Sequence, residues 1–225
     1  MDRGSGFSFQ CGRCSECCSG KKIQVNPFEI SRLAANLKIG TTELIRRFTE
    51  NGVYLGRKKD GRCVFLESDG CRVHEDRPLV CRLYPLGRNL GVGGEESFSF
   101  IDLPPPCRGI WSSSHTVEGY LESQDARVFI EAAEHYRTLL RKLVARLQPE
   151  AEAPLPQWIC VSPGSELEVP FPELLDPDRV IDSLHDGEKP AGLDSWGKMV
   201  LHIALVEKLA GLNNNNRQEG VYGQK

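Results

Sequence analysis

Phe9-Gln10-Cys11-Gly12-Arg13-Cys14-Ser15-Glu16-Cys17-Cys18-Ser19-Gly20 is the stretch that decides how the rest of the chain is read. Small and turn-forming residues punctuate it too densely for a helix or a long strand, so a tight loop is predicted. The two-residue spacers between Cys11, Cys14 and Cys17 let a short turn aim consecutive thiols at one metal or cluster. These three reproduce the cysteine run of bacterial ferredoxins, a spacing that zinc also tolerates. Cys18 departs from that run by following Cys17 at once. Side chains of adjacent residues usually point apart, so this pair is expected to serve different metals or opposite sides of one cluster.

Four more cysteines follow, Cys63, Cys71, Cys81 and Cys107, and a ninth, Cys160, stands alone in the apolar run Trp158-Ile159-Cys160-Val161. Nine in 225 residues is too few for a disulfide-dense scaffold. No apolar run approaches the ~18 residues of a membrane span. Met1-Asp2-Arg3-Gly4-Ser5 is not followed by the apolar core of a secretory signal. A cytoplasmic chain with no membrane partner is expected, in which thiols stay reduced and hold metal or do chemistry. Free core cysteines do not cluster as four within eight residues.

The eight thiols Cys11, Cys14, Cys17, Cys18, Cys63, Cys71, Cys81 and Cys107 are therefore the candidate metal ligands. They divide into two four-coordinate sites, the number normal for zinc or a four-iron cluster. How they partition is left open, as is the choice of iron–sulfur cluster or zinc as cofactor, with a lean to iron–sulfur. Cys160 reads as a small buried hydrophobe. His74, three residues after Cys71, and His115 are secondary candidates for ligation; His135 and His202 read as packing or surface histidines. No HExxH, P-loop or nucleophile elbow is present, so no catalytic residue is assigned.

Charge is uneven. The net charge is −3, yet through Arg108 the chain holds 17 Lys+Arg against 13 Asp+Glu, and beyond it 11 against 18. The overall balance argues against a nucleic-acid partner. Arg13, Arg62, Arg72, Arg82 and Arg108 each adjoin a cysteine, and cations beside thiolates lower their pKa. These arginines are expected to balance the thiolates.

The surrounding elements are short. Residues 1–8 read as a polar lead-in and Lys22 to Val25 as a short strand. Asn26-Pro27 opens a helix through Leu37 that Gly40 ends. Thr41 or Thr42 caps a second helix through Phe48. Cys63–Leu66 and Cys71–Val73 form a hairpin about Ser68-Asp69-Gly70. Arg77-Pro78 opens a helical turn carrying Cys81, and Phe98–Ile101 is a strand. One helix is expected from about Glu118 to Leu147, with Tyr120, Phe129, Ala133, Tyr136 and Leu140 on its apolar stripe. Residues 158–190 show no clear period. Ser195 to Leu209 is an amphipathic helix with Trp196, Met199, Val200, Ile203, Val206 and Leu209 inward. The predicted fold is α+β, small and loop-rich around the metal, with a short hairpin and covering amphipathic helices. The expected division is a metal-binding domain at 1–112, a mainly helical extension at 113–212 packing on it, and a disordered tail at 213–225.

In order and spacing the sequence resembles the YkgJ-type cysteine-cluster proteins, with their zinc- or iron-chelating CxxCxxCC domain. The resemblance rests on Phe9 through Cys18, the Val25 and Glu29 region, Gly61-x-Cys63-x-Phe65-Leu66, Cys71 with Arg77-Pro78, Cys81-Arg82 and Pro85, and Cys107-x-Gly109. It covers roughly residues 7–112 and implies metal binding by these cysteines, with no established reaction. Flagellin lysine methylases share the motif, which raises an iron–sulfur-dependent redox or transferase enzyme as the alternative to a metal-binding accessory protein; no Gly-rich S-adenosylmethionine loop is found. A labile metal buffer is a third reading. The partner implied is a metal ion or cluster, and a protein partner is unspecified. Arg82 is expected to donate to the thiolates and Glu29 to pair with an arginine.

Overall fold

The computed structural model describes residues 1–50, 52–91, 93–147, 172–184 and 192–212. Cys160, residues 148–157, most of 158–190 and the tail from 213 lie outside the described residues. The chain is a mixed α+β protein. Its elements are β1 (Gly6–Gln10), α1 (Pro27–Leu37), α2 (Thr41–Phe48), β2 (Thr49–Glu50), β3 (Tyr54–Leu55), β4 (Leu66–Glu67) and β5 (Gly70–Cys71). There follow α3 (Leu79–Leu83), β6 (Leu86–Leu90), β7 (Glu96–Phe100), β8 (Ile110–Thr116), α4 (Val117–Ser123), α5 (Arg127–Leu147), α6 (Pro177–Leu184) and α7 (Ser195–Leu209).

The strands pair as antiparallel two-stranded ribbons: β1 with β8, β2 with β3, β4 with β5 and β6 with β7. The expected lead-in is thus partly strand. Gln10 lies opposite Ile110 and Phe9 opposite Trp111, while Phe7 is buried. The segment from Lys22 to Val25 is not a strand of its own; it lies against β3 through Val25 N–H to the Val53 carbonyl and Leu55 N–H to the Ile23 carbonyl, both 2.8 Å.

Helix α1 begins where the sequence predicts. Asn26 accepts from the Glu29 N–H at 3.0 Å and Glu29 accepts from the Asn26 N–H at 2.8 Å, a reciprocal cap with Pro27 in the first turn. Its end lies before Gly40: Lys38 takes a left-handed conformation, and the Lys38 and Ile39 amides return to the Ala35 and Ala34 carbonyls. Gly40 caps α2 instead. Helix α2 is held by a reciprocal exchange with α6. Asp178 accepts from the Thr41 N–H at 2.7 Å, and Asp176 accepts from the Thr41 and Thr42 hydroxyls at 2.6 Å each.

The long helix expected from Glu118 is two helices. Asp125 adopts φ of 49°, and the Asp125 and Ala126 amides return to Glu122 and Leu121. That exchange closes α4 with the αL motif that ordinarily takes glycine. Helix α6 falls in a stretch where no period was read. Helix α7 turns Met199 and Val206 inward as expected, with Trp196 and Ile203 packed on the core, but it also buries His202 and Leu205 and leaves Val200 54% and Leu209 55% exposed.

Two apolar clusters flank α1. One gathers Val25, Ile30, Leu33, Ala34, Leu44, Leu55, Phe65 and Val73, with Cys63 and Cys71 packed on it. The other joins Phe7, Phe28, Leu79 and Leu83 to α4–α7. Phe28 meets Phe129 edge-on at 5.5 Å and Trp196 at 6.1 Å. Buried Arg88 bridges Glu96 at 2.5 Å and Glu134 at 2.9 Å, and Arg3 reaches Glu96 and Glu118, so β6, β7, α4, α5 and the segment before β1 share one ion-pair network.

Candidate metal centre

Five pieces of backbone deliver the eight thiols, and their positions follow from the pairings above. The motif stretch continues β1 to Cys11, turns through left-handed Arg13 and Ser15, and closes in one helical turn at Glu16–Cys18. That turn is pinned to the strand-like segment before the hairpin: Cys63 N–H donates to the Cys18 carbonyl at 2.8 Å, and Ser19 lies across from Arg62. Cys71 ends β5 opposite Leu66. Cys81 sits in α3, whose first amide, Leu79 N–H, donates to Glu29 Oε1 at 2.7 Å. Cys107 precedes β8, and the β1–β8 register brings it beside Cys11 and Cys14.

Close backbone approach makes this last juxtaposition feasible. A Cβ at Gly12 would stand 2.4 Å from the Arg108 carbonyl oxygen, and one at Gly109 would stand 2.2 Å from the Phe9 ring. Only glycine lets the two segments pass at that distance.

All eight thiols line one cavity of about 220 Å³. They form a deep group and a rim. Cys81 lies deepest, with Cys17, Cys18, Cys63 and Cys71 around it; all five keep part of their surface accessible, and they act electrostatically on one another. Cys11 is exposed, and Cys14 and Cys107, hydrogen-bonded together, stand near the surface. Cys17 and Cys18 do not point apart as expected. Their Sγ atoms are 3.9 Å apart within the same cavity. Thiolates ~2.3 Å from a tetrahedral zinc lie ~3.8 Å from one another, so the pair fits a shared ion or neighbouring atoms of one cluster. Among the described residues, no three His, Cys, Asp or Glu side chains converge closely enough to hold a single ion as they stand.

The electrostatics differ with depth. The Cys18 thiol donates to Cys17, and Lys21 stands near; together they bring the Cys17 pKa down to about 6 and push Cys18 up. Burial, reinforced by neighbouring thiolates, raises Cys81 well above the thiol range, and burial raises Cys63 and Cys71. At the rim, burial opposes the Cys14 thiolate, but amide donors at Arg108 and Glu16 outweigh it and lower its pKa.

Of the arginines that adjoin cysteines in sequence, Arg13 lines the cavity, whereas Arg62, Arg72 and Arg82 are engaged elsewhere. Arg62 and Arg72 stand by Asp60 and Glu67 at 3.7 Å each. Arg82 is buried and turned away from the thiols. It donates to the carbonyls of Arg77, Gln124 and Glu75, and its guanidinium lies 4.0 Å from the centre of the Phe129 ring. Glu29 is buried and spends its two oxygens on the Asn26 and Leu79 amides, not on an arginine partner. The cations that face thiols are Lys21 toward Cys17, Lys58 toward Cys63 and Arg77 toward Cys71. Lys21 follows Gly20 by one residue, so the signal available was its nearness to the motif. His74 lines the cavity with its Nδ1 3.4 Å from both Glu75 and Arg77, and His115 lies on exposed β8. His202 is a packing histidine, bonded to Tyr136 at 3.0 Å and to the Leu174 carbonyl at 2.8 Å.

The donor set is soft sulfur throughout, which suits zinc or iron–sulfur ligation. Comparison with known proteins agrees in kind. Residues 10–108 match the CxxCxxCC family, described as a "Putative zinc- or iron-chelating domain", and this stretch of the chain is a domain of that family. The chain is also similar to "Uncharacterized protein MJ0661" of Methanocaldococcus jannaschii, 29% identical over 120 residues. The matched stretch is 51% of this chain and 64% of that relative's length. No solved structure matches the chain significantly. No helix among the described residues is long and apolar enough to cross a membrane.

Proposed function

We propose that Cys11, Cys14, Cys17, Cys18, Cys63, Cys71, Cys81 and Cys107 bind metal as thiolates, and that the chain is a metal-binding protein of accessory or assembly role. One observation carries the reading: thiols from five separate backbone pieces line a single cavity. Thiols that only fill a core have no reason to gather this way. The cavity holds several water-sized bodies, so a lone ion leaves most of it empty, and this supports a polynuclear iron–sulfur centre over a single zinc. When bound, such a centre supplies electron transfer or Lewis acidity; the thiolates hold it, while Lys21, Lys58 and Arg77 offset their charge.

The test is to purify the full chain without air and measure its spectrum, metal content and acid-labile sulfide. A brown protein whose iron and sulfide are lost in Cys81→Ser supports the iron–sulfur reading. A colourless protein with bound zinc keeps metal binding and removes the iron–sulfur assignment. A chain that holds neither, before or after reconstitution, overturns the proposal.

A further inference from the structure

Two polar atoms in this cavity lack partners. The Lys21 ammonium and the Tyr84 hydroxyl are both buried, and neither makes a hydrogen bond. Both residues line the thiol cavity, and the ammonium lies 3.5 Å from the centre of the Tyr84 ring. The ring face attracts the cation but gives its three N–H groups no strong acceptor. Leaving such a charge desolvated and unpartnered is costly. The thiols that act on Lys21 come from both groups, Cys17, Cys81 and Cys18 from the deep one and Cys107 from the rim. Tyr84 likewise feels Cys107, Cys17 and Cys14. The pair therefore stands between the two groups of sulfur, close enough to feel them and not in hydrogen-bond contact with any.

We infer that Lys21 and Tyr84 form a donor station for a small anionic ligand that enters with the metal, and that this ligand is not one of the chain's own thiolates. Thiolates alone would leave both donors unmet, because the thiols already placed around them do not reach. The shared chemistry is a compact anion accepting from an ammonium and a phenol hydroxyl. Two sources supply it: sulfide built into a polynuclear centre, or a free anion bound at an open position of a metal. The inference rests on the metal-binding reading.

The experiment compares the full wild-type chain with Lys21→Met and Tyr84→Phe, the second removing one oxygen and leaving the ring under Lys21. Circular dichroism checks that each variant is folded. Three anaerobic arms are run: cobalt(II) alone, followed by its thiolate charge-transfer absorption; the cobalt form titrated with azide; and reconstitution with iron and sulfide, read as sulfide retained against a chelator. Removing a group that supports a metal centre costs 10–100-fold in affinity. A loss of about that size in the sulfide arm for both variants, with cobalt alone held within about threefold in Tyr84→Phe, identifies built-in sulfide. Lys21→Met also removes charge beside Cys17, so its cobalt affinity is expected to fall as well. The same loss confined to the azide arm identifies a free anion. The inference is overturned if both variants match wild type in the anion arms, or if Tyr84→Phe weakens cobalt alone as much as it weakens the anion arms. If wild type loads in no arm, the metal-binding reading falls and takes this inference with it.

Discussion

Glu29 is a carboxylate whose burial has a measurable pH signature. It is 3% exposed, and burial raises its pKa from 4.5 to about 7 despite the amides of Leu79 and Asn26. A raised carboxyl pKa means that the folded chain holds a proton which the unfolded chain has released. Stability from this group is full below 4.5 and is lost as pH rises toward 7. At about 1.4 kcal/mol per unit the whole change is about 3 kcal/mol. His202 has the opposite sign. Burial lowers its pKa from 6.5 to about 4, so its contribution is present above 6.5 and is lost as pH falls through 4. The two slopes oppose each other between 4.5 and 6.5, and wild type alone hides both. Glu29→Gln uncovers them. The assay is urea unfolding of both chains in reductant from pH 4 to 7.5, with the difference in unfolding free energy plotted against pH, so that titrations common to both chains cancel. Wild type is expected to lose about 3 kcal/mol relative to the variant across the interval. A difference flat to within about 0.5 kcal/mol would refute the desolvation of Glu29, since that is far below one pKa unit.

Three further outcomes are expected. Asp176→Ala removes the acceptor of both the Thr41 and Thr42 hydroxyls and should cost about 2–3 kcal/mol in urea unfolding. Tyr136→Phe leaves buried His202 Nδ1 without its donor; a loss of about 1–3 kcal/mol is expected in thermal melts converted to free energy. Gly12→Ala places a methyl group 2.4 Å from the Arg108 carbonyl, so the rim must shift at a cost of about 1–3 kcal/mol. Its Cys14 and Cys107 should then be alkylated faster than in wild type while Cys81 is unchanged, as read by mass spectrometry; equal rates at all three would contradict the close approach.

What the sequence disclosed was local. Asn26, Pro27 and Glu29 lie within one turn and announce α1; Arg77-Pro78 announces α3; Asp69-Gly70 announces the hairpin. The same holds for the thiols, whose spacing alone picked out the residues that line the cavity. What it concealed was nonlocal or atypical. Strand β8 reads Ile-Trp-Ser-Ser-Ser-His-Thr and is exposed along its length, so it carries no apolar alternation, and its partner β1 lies about a hundred residues earlier. Asp125 takes a backbone conformation that ordinarily asks for glycine, so nothing marked the break between α4 and α5. Arg62, Arg72 and Arg82 misled because neighbours in sequence face different ways, whereas Lys21 returns to the cavity from beyond the turn. Cys17 and Cys18 escape the same rule because a tight helical turn rotates both toward one space.

The graded burial of the thiols also sets an itinerary. Cys81 is the thiol most enclosed by surrounding atoms, while Cys11, Cys14 and Cys107 stand at the solvent side of the cavity. An arriving ion meets the rim before it meets the floor, and each level offers a thiol of lowered pKa, Cys14 at the rim and Cys17 deeper in. A chelator is expected to reach metal held at the exposed rim before metal held by the deeper thiols. Depth in this fold is thereby a clock as well as a coordinate.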